Sequence, residues 1–302
     1  MKKIRLAFPV LVLSLLAAGA GPASADTLRK LADSGRIAMG VRDSGAPLSY
    51  ALGAGRYTGY HVELCERVIA GLREAQRLPA LAIDYQPVTS SNRIPLVRNG
   101  TVDLECGTTT NNAARQKEVA FALTTYVTEV RLAVAAKSGI ASIAQLQGRT
   151  VVVTSGSSAV KTARLHRKAA GVEFQEVYGK DTGDSFLMLQ TGRADAWIDD
   201  DNILAGNIAS ARTPGDFRVA GESFAVEPIA IMLRRDDPAF KAAVDAQLRR
   251  LMADGELAKL YDKWFVQPIP PRNAALNLPM SAALRQAIAA PNDNPSEAYQ
   301  VR

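Results

Sequence analysis

Three arginines stand beside runs of small hydroxyl residues, each just after a short apolar stretch. Arg42 opens Arg42-Asp43-Ser44-Gly45-Ala46-Pro47, and Arg93 closes Thr89-Ser90-Ser91-Asn92-Arg93. Arg115 follows Cys106-Gly107-Thr108-Thr109-Thr110-Asn111-Asn112, and Thr154-Ser155-Gly156-Ser157-Ser158 adds a fourth hydroxyl run. Hydroxyls and free N–H groups at helix starts are anion sites, and a guanidinium fork binds a carboxylate through two parallel bonds. Taken singly, such serines and threonines are ordinary N-caps and such arginines are surface charges. Their convergence on strand ends favours binding. Asp199-Asp200-Asp201 supplies the opposite charge. Alternation along a strand sends Asp200 to the face opposite its neighbours, where it suits an ammonium group. Asp201 reads as the N-cap of a helix starting near Asn202, and three solvated carboxylates are the bland alternative. Two anion subsites and one acid for an amine describe a zwitterion with an extra carboxylate, glutamate or aspartate.

The elements that must hold these residues follow from periodicity. Strands are predicted over Arg36–Arg42, Leu81–Val88 and Val102–Cys106, with helices over Tyr60–Gln76, Arg93–Arg98 and Asn112–Glu118. The pattern restarts with strands Thr150–Thr154, Val172–Tyr178 and Ala194–Asp199, and helices Ala159–Ala170, Ser185–Thr191 and Ile203–Ala211. Two βαβαβ units imply an α/β chain with two parallel sheets wrapped by helices. Tyr126–Ala136 and Glu222–Leu233 lack helical period and read as two crossings between lobes. The expected division is lobe 1 at 26–130 and 225–270, and lobe 2 at 131–224. Helices Asp237–Met252 and Leu257–Phe265 belong to lobe 1. Pro268-Ile269-Pro270-Pro271 leads to a polar tail, 271–302, packed on lobe 1 with one helix near Ser281–Ala289. Ligands of open α/β sheets bind at strand carboxyl ends, which is where the hydroxyl and arginine loops fall.

The first residues bear on compartment. Met1-Lys2-Lys3-Ile4-Arg5 is cationic, Leu6 to Ala20 is almost wholly apolar, and Ala23-Ser24-Ala25 is an A-x-A pattern. That is a cleavable secretory signal, residues 1–25, too short in its apolar run for a membrane anchor. Its loss leaves 277 residues starting at Asp26 and lowers the formal charge from +6 to +3. So mild a charge gives no argument for nucleic acid. Cys65 and Cys106 are the only cysteines, and His61 and His166 the only histidines. No metal site or cofactor is expected. The two cysteines are either a disulfide, which an oxidising compartment permits, or small buried residues. Their separation decides.

The same loops carry a resemblance. The stretches TSSNRIPLVRNGTVDLECGTTTNNAARQKEVAF (Thr89–Phe121), VVVTSGSS (Val151–Ser158), GDSFLMLQTGRADA (Gly183–Ala196) and YDKWFVQPIPPRN (Tyr261–Asn273) resemble periplasmic glutamate/aspartate-binding proteins of ABC importers, within solute-binding protein family 3. The resemblance implies a type II periplasmic-binding fold: two α/β lobes joined by two hinge strands that close on ligand like a Venus flytrap. By position it implies that Arg42, Ser90 and Arg93 hold the side-chain carboxylate. Thr108, Thr110, Arg115 and Ser158 cradle the α-carboxylate, and Asp200 takes the α-ammonium. Thr182 stands where relatives carry a histidine beside the side-chain carboxylate, and His61 where an acid is common.

The resulting expectation is a monomeric periplasmic binder, not an enzyme, that hands L-glutamate or L-aspartate to an inner-membrane ABC permease. The rivals are a dehydratase of the same fold, which would need a positioned general acid or base, and a ligand-sensing partner of a membrane receptor. His166 reads as a solvated member of a basic helix face, Trp264 as a packing residue, and Tyr50 as a border of the site.

Overall fold

The computed structural model describes residues 26–299; the expected signal segment lies outside the described residues. Helix α1 (Thr27–Ser34) is capped by the Asp26 carboxylate on Arg29 N and ends at Gly35, whose φ of 62° is left-handed. It leads into β1 (Arg36–Val41). A small antiparallel sheet follows, β2 (Ser44–Gly45), β3 (Ser49–Gly53) and β4 (Arg56–Thr58). Sequence periodicity misses it because its strands are too short for alternation to register.

Helix α2 (Tyr60–Ala75) buries Val62, Cys65, Val68, Ile69 and Leu72, the three-to-four spacing of one helical face. Then come β5 (Ala82–Pro87), α3 (Arg93–Arg98), β6 (Leu104–Glu105) and α4 (Ala113–Gln116). The long strand β7 (Val119–Ala135) leads to β8 (Thr150–Thr154), α5 (Ala159–Ala170), β9 (Gln175–Gly179) and α6 (Thr182–Gln190). After these come β10 (Ala196–Asp200), α7 (Asp201–Ala209) and a second long strand, β11 (Phe217–Arg234). The chain ends with α8 (Pro238–Ala253), α9 (Glu256–Tyr261), a π turn at Asp262–Val266, β12 (Pro268–Ile269), β13 (Ala274–Ala275) and α10 (Ala282–Ala289). Several predicted bounds therefore shift: the third strand shrinks to two residues, and both crossing strands are longer than the segments read from sequence.

One eight-stranded sheet runs in the order β5-β1-β6-β11-β7-β10-β8-β9. Strands β5, β1 and β6 are parallel, as are β10, β8 and β9. The long strands β7 and β11 pair antiparallel from Phe217↔Ala135 to Arg234↔Val119. Strand β6 pairs antiparallel with the end of β11 at Met232 and Leu233, and β10 with the end of β7 from Val130 to Val134. Each parallel set thus sits at one end of the long ladder and runs towards its middle. The carboxyl ends of the two sets face each other.

Both faces of each set are covered, so the strands read as continuous apolar runs. Val151 and Val153 pack with Val130, Leu132, Val134 and Ala163 on one face, while Val152 packs with Trp197, Phe186 and Leu204 on the other. In the other half Ile37, Met39 and Val41 join residues of α2, α8, α9 and the π turn, including Leu64, Phe240, Leu257 and Phe265. Leu284 of α10 belongs to that same core, so the tail helix is a structural part of this half.

Cys65 of α2 and Cys106 after β6 form a disulfide, with Cα atoms 6.4 Å apart, which settles the alternative left open by the sequence. It closes a loop with a sequence separation of 41 residues. On the chain-entropy account such a loop stabilises by about 4 kcal/mol. We therefore expect the Cys65→Ser/Cys106→Ser double variant to lose roughly that amount in urea unfolding. A midpoint equal to that of the oxidised parent would show that the cross-link does not stabilise.

Candidate ligand-binding site

The nine candidate residues lie at the facing carboxyl ends. Arg42 follows β1, Ser90 and Arg93 follow β5, and Thr108, Thr110 and Arg115 follow β6. From the other half come Ser158 after β8, Thr182 after β9 and Asp200 at the end of β10.

The arginines are 1%, 2% and 9% exposed for Arg42, Arg93 and Arg115. Charges buried this deeply ordinarily meet a carboxylate. Here every hydrogen bond that they make goes to a neutral oxygen. Arg42 donates to Thr108 Oγ1 at 3.0 Å and Ser90 Oγ at 3.1 Å. Arg93 donates to the Thr108 carbonyl at 3.3 Å, and its Nε has no partner. Arg115 donates to the carbonyls of Thr110 at 2.9 Å and Gly156 at 3.3 Å. Burial lowers the pKa of all three, and the positive charge of Arg115 adds to the depression at Arg93. Glu105 opposes the shift at Arg42, and Glu227 at Arg115.

Ser90 and Ser158 are not side-chain caps. Asn92 occupies the N-cap of α3, and Ser158 caps α5 without a side-chain bond. The Ser158 hydroxyl instead lies 3.0 Å from Thr110 Oγ1, and both hydroxyls donate to Glu227 Oε2, at 2.7 and 2.6 Å. One carboxylate on a crossing strand therefore ties a loop of each half together.

The acidic triplet divides as strand alternation requires. Asp199 accepts from Thr154 Oγ1 at 2.7 Å and Trp197 Nε1 at 3.2 Å, within its own half. Asp200 is buried, and among the described residues its carboxylate accepts no hydrogen bond. Burial, then the charges of Glu227 and Asp199, hold its pKa well above the usual carboxylate range, with Arg115 opposing. Asp201 is not the N-cap. It is the first residue of α7, and its carboxylate accepts from Thr128 Oγ1 and Asn202 N, both at 2.7 Å. The triplet is not a solvated cluster either, since Asp199 and Asp200 are 5% exposed.

The two halves touch directly. Thr182 Oγ1 donates to the Ser44 carbonyl at 2.7 Å, and Gly183 N donates to Ser44 Oγ at 3.0 Å. A hydroxyl has one hydrogen, and in this structure that of Thr182 fastens the two halves together. Ser91 Oγ donates to the Ser155 carbonyl at 3.1 Å, and elsewhere backbone approaches closely across the seam. A Cβ on Gly206 would stand 2.3 Å from the Ala46 carbonyl oxygen, and one on Gly156 2.8 Å from the Ser90 backbone. A cavity of about 470 Å³ opens beside Arg115, Ser158 and Glu227.

With this geometry, residues 37–267 match the family model described as bacterial extracellular solute-binding proteins, family 3. The chain belongs to that family. It is 41% identical to the L-glutamate/L-aspartate-binding protein of Pseudomonas aeruginosa, over 90% of each chain. It is 38% identical to the glutamate/aspartate import solute-binding protein of Escherichia coli, over 91% of each. Among solved structures it resembles the P235GK mutant of ArgBP from T. maritima, with a TM-score of 0.70 and 21% identity, over 79% of this chain and 99% of that one. The fold is the expected type II periplasmic-binding architecture.

The solute-binding chain contains site residues that sequence reasoning missed. Glu105, Glu227 and Ser44 all lie within strands, where polar residues read as solvent-facing alternation. Only their burial reveals them, and for Ser44 its partners. His61, on α2, is fully buried; Nδ1 meets the Gly107 carbonyl at 2.6 Å and Nε2 meets Thr125 Oγ1 at 2.8 Å. It braces the start of the Thr108 loop. His166 is half-buried rather than fully solvated: Nε2 lies 2.8 Å from the Phe224 carbonyl and the ring packs on Phe224. Trp264 packs as expected, with Nε1 donating to Glu63. Tyr50 donates to the Pro270 carbonyl and packs edge-on against Trp264, which gives its hydroxyl a structural role.

Burial lowers the pKa of His61 to about 4, with the Gly107 bond opposing, from an ordinary 6.5. The unfolded chain takes up this proton first, so the folded state loses stability as pH falls from 6.5 to 4 and no further below. The difference amounts to about 3 kcal/mol. His61→Gln should remove that part of the pH dependence in thermal unfolding scans. An unchanged slope would place the proton elsewhere.

Proposed function

We propose that this chain is the exported binding component of an ABC importer and captures glutamate or aspartate between its halves. The observation that supports this most is the set of three buried guanidiniums bonded only to neutral oxygens, facing a buried Asp200 that accepts no hydrogen bond. A dianionic amino acid complements both: carboxylates for the forks and an ammonium for Asp200. The relatives bear names that agree with this ligand class.

On this reading Arg42, Ser90 and Arg93 face the side-chain carboxylate, Thr108, Thr110, Arg115 and Ser158 the α-carboxylate, and Asp200 the amine. Residues 26–130 with 225–270, and residues 131–224, move as two bodies about β7 and β11. Ligand favours closure because contacts from Ser158 and Asp200 exist only when the bodies meet. The chain is a binder rather than a catalyst: His61 is sealed by two hydrogen bonds, both cysteines are paired, and His166, which lines the cavity, has its Nε2 on the Phe224 carbonyl. The disulfide agrees with delivery to the periplasm, where an inner-membrane permease receives the solute.

Arg115→Ala should weaken binding of every amino acid by about 10- to 150-fold, the loss of one charge-assisted contact. Arg93→Ala should instead narrow the preference for glutamate over glutamine. Titration calorimetry of refolded, ligand-stripped protein measures both, and unchanged isotherms for Arg115→Ala would defeat the assignment. The raised pKa of Asp200 in the free protein falls when an ammonium docks. Binding then releases protons, and affinity drops as pH is lowered. Heats measured in buffers of different ionisation enthalpy should show the release in the parent and lose it in Asp200→Asn.

A further inference from the structure

Beyond α10 the chain runs as a strap across the half that carries the three arginines. Its Asn292 carbonyl accepts from Thr124 N at 2.8 Å, and Asp293 pairs with Lys241 at 3.0 Å. The strap then meets the loop between Thr110 and Arg115. Asn111 is wholly buried at the junction. Its Nδ2 donates to the Asp293 carbonyl at 2.9 Å, its own carbonyl accepts from Ser296 N at 2.9 Å, and its N donates to the Pro228 carbonyl at 2.9 Å. Gln116 Nε2 bridges Asn111 Oδ1 and the Asp293 carbonyl. Glu297 Oε2 accepts from Ala113 N at 3.0 Å, at the first residue of the helix that bears Arg115.

An isolated helix shorter than about 12 residues is marginal in water, and α4 spans four residues. Its position, and that of Arg115, must come from tertiary contacts. The strap supplies them on one side and the β11 crossing on the other. Ser296 and Glu297 also line the cavity of about 470 Å³ together with Ser157, Ser158 and Lys161 of the opposite half. The strap is therefore a rim of the cleft as well as a brace for its floor.

We infer that the strap at residues 292–297 belongs to the binding apparatus, with Asn111 and Glu297 as positioning residues that hold Arg115 and the Thr110 carbonyl in place. The inference rests on the binding role proposed above for Arg115. Two variants test it: Asn111→Asp in the full mature chain, which removes the Nδ2 donor, and a chain ending at Ala290. Each should weaken amino-acid binding by about tenfold, equally for glutamate and aspartate because the group served is common to both. In an Arg115→Lys background the same changes should cost almost nothing further. Full additivity, or unchanged affinity in a folded variant, would overturn the inference.

Hydrogen exchange of the ligand-free protein gives a second readout that needs no ligand. The amides from Asn111 to Glu118 should exchange at least tenfold faster in Asn111→Asp while those of β8 stay unchanged. Equal protection in parent and variant would also overturn it. If the parent binds no amino acid, the proposed function fails, and the exchange result still decides whether the strap holds the loop.

Discussion

Three positive charges out of water, each satisfied only by uncharged oxygens, set the terms for the rest of this molecule. An isolated buried ion is costly, and Arg93 is pressed further by the neighbouring cations. The fold tolerates the group because the donors are distributed. Each guanidinium follows a different strand, Arg42 directly and Arg93 and Arg115 from the short helices α3 and α4, and Glu105 and Glu227 contribute negative charge close by. Neither acid takes a direct ion pair with the arginines, so the forks stay available to a carboxylate from outside.

The crossing strands make that arrangement possible. Because β7 and β11 run antiparallel over almost their full length, the parallel strands hung on their far ends must point inward from both sides. One ladder thus brings six carboxyl-end loops to a common place without any of them touching in sequence. Register breaks in that ladder fall between Ala220 and Ala225 and around Ala230. They flank the stretch where Glu227 and Pro228 reach the Thr110 and Asn111 loop. The segment that serves the site is the regular stretch held between two irregularities of the ladder.

Much of this was legible beforehand because strong periodic signals were in play. The β-branched run Val151–Val153 and the spaced apolar residues of α2 gave their elements with bounds within a residue. Arg42, Arg93, Arg115 and Asp200 could be placed since a strand end followed by hydroxyls has a direction. What escaped was set by long-range packing. Nothing local distinguishes Glu227, inside an extended run, from a solvated strand residue, and the same holds for Ser44 in a two-residue strand. Thr182 was placed at the site by position alone, and nothing local signals its bond to Ser44 across the seam. His166 was read as solvated since its neighbours in sequence are basic, yet Phe224, 58 positions away, covers it. The tail was expected to pack on the first lobe with a helix near Ser281–Ala289, but nothing local marked Leu284 as the residue that enters the main core.

The glycines at the seam carry a consequence for how such a cleft can vary. Where Gly206 meets Ala46 and Gly156 meets Ser90, the facing surfaces are peptide planes with no cushion of side chain. A single methyl at Gly206 would act as a doorstop, propping the jaws ajar and holding Asp200 away from the three arginines. The thickness of the lips is thus fixed by atoms that have no side chain to trim.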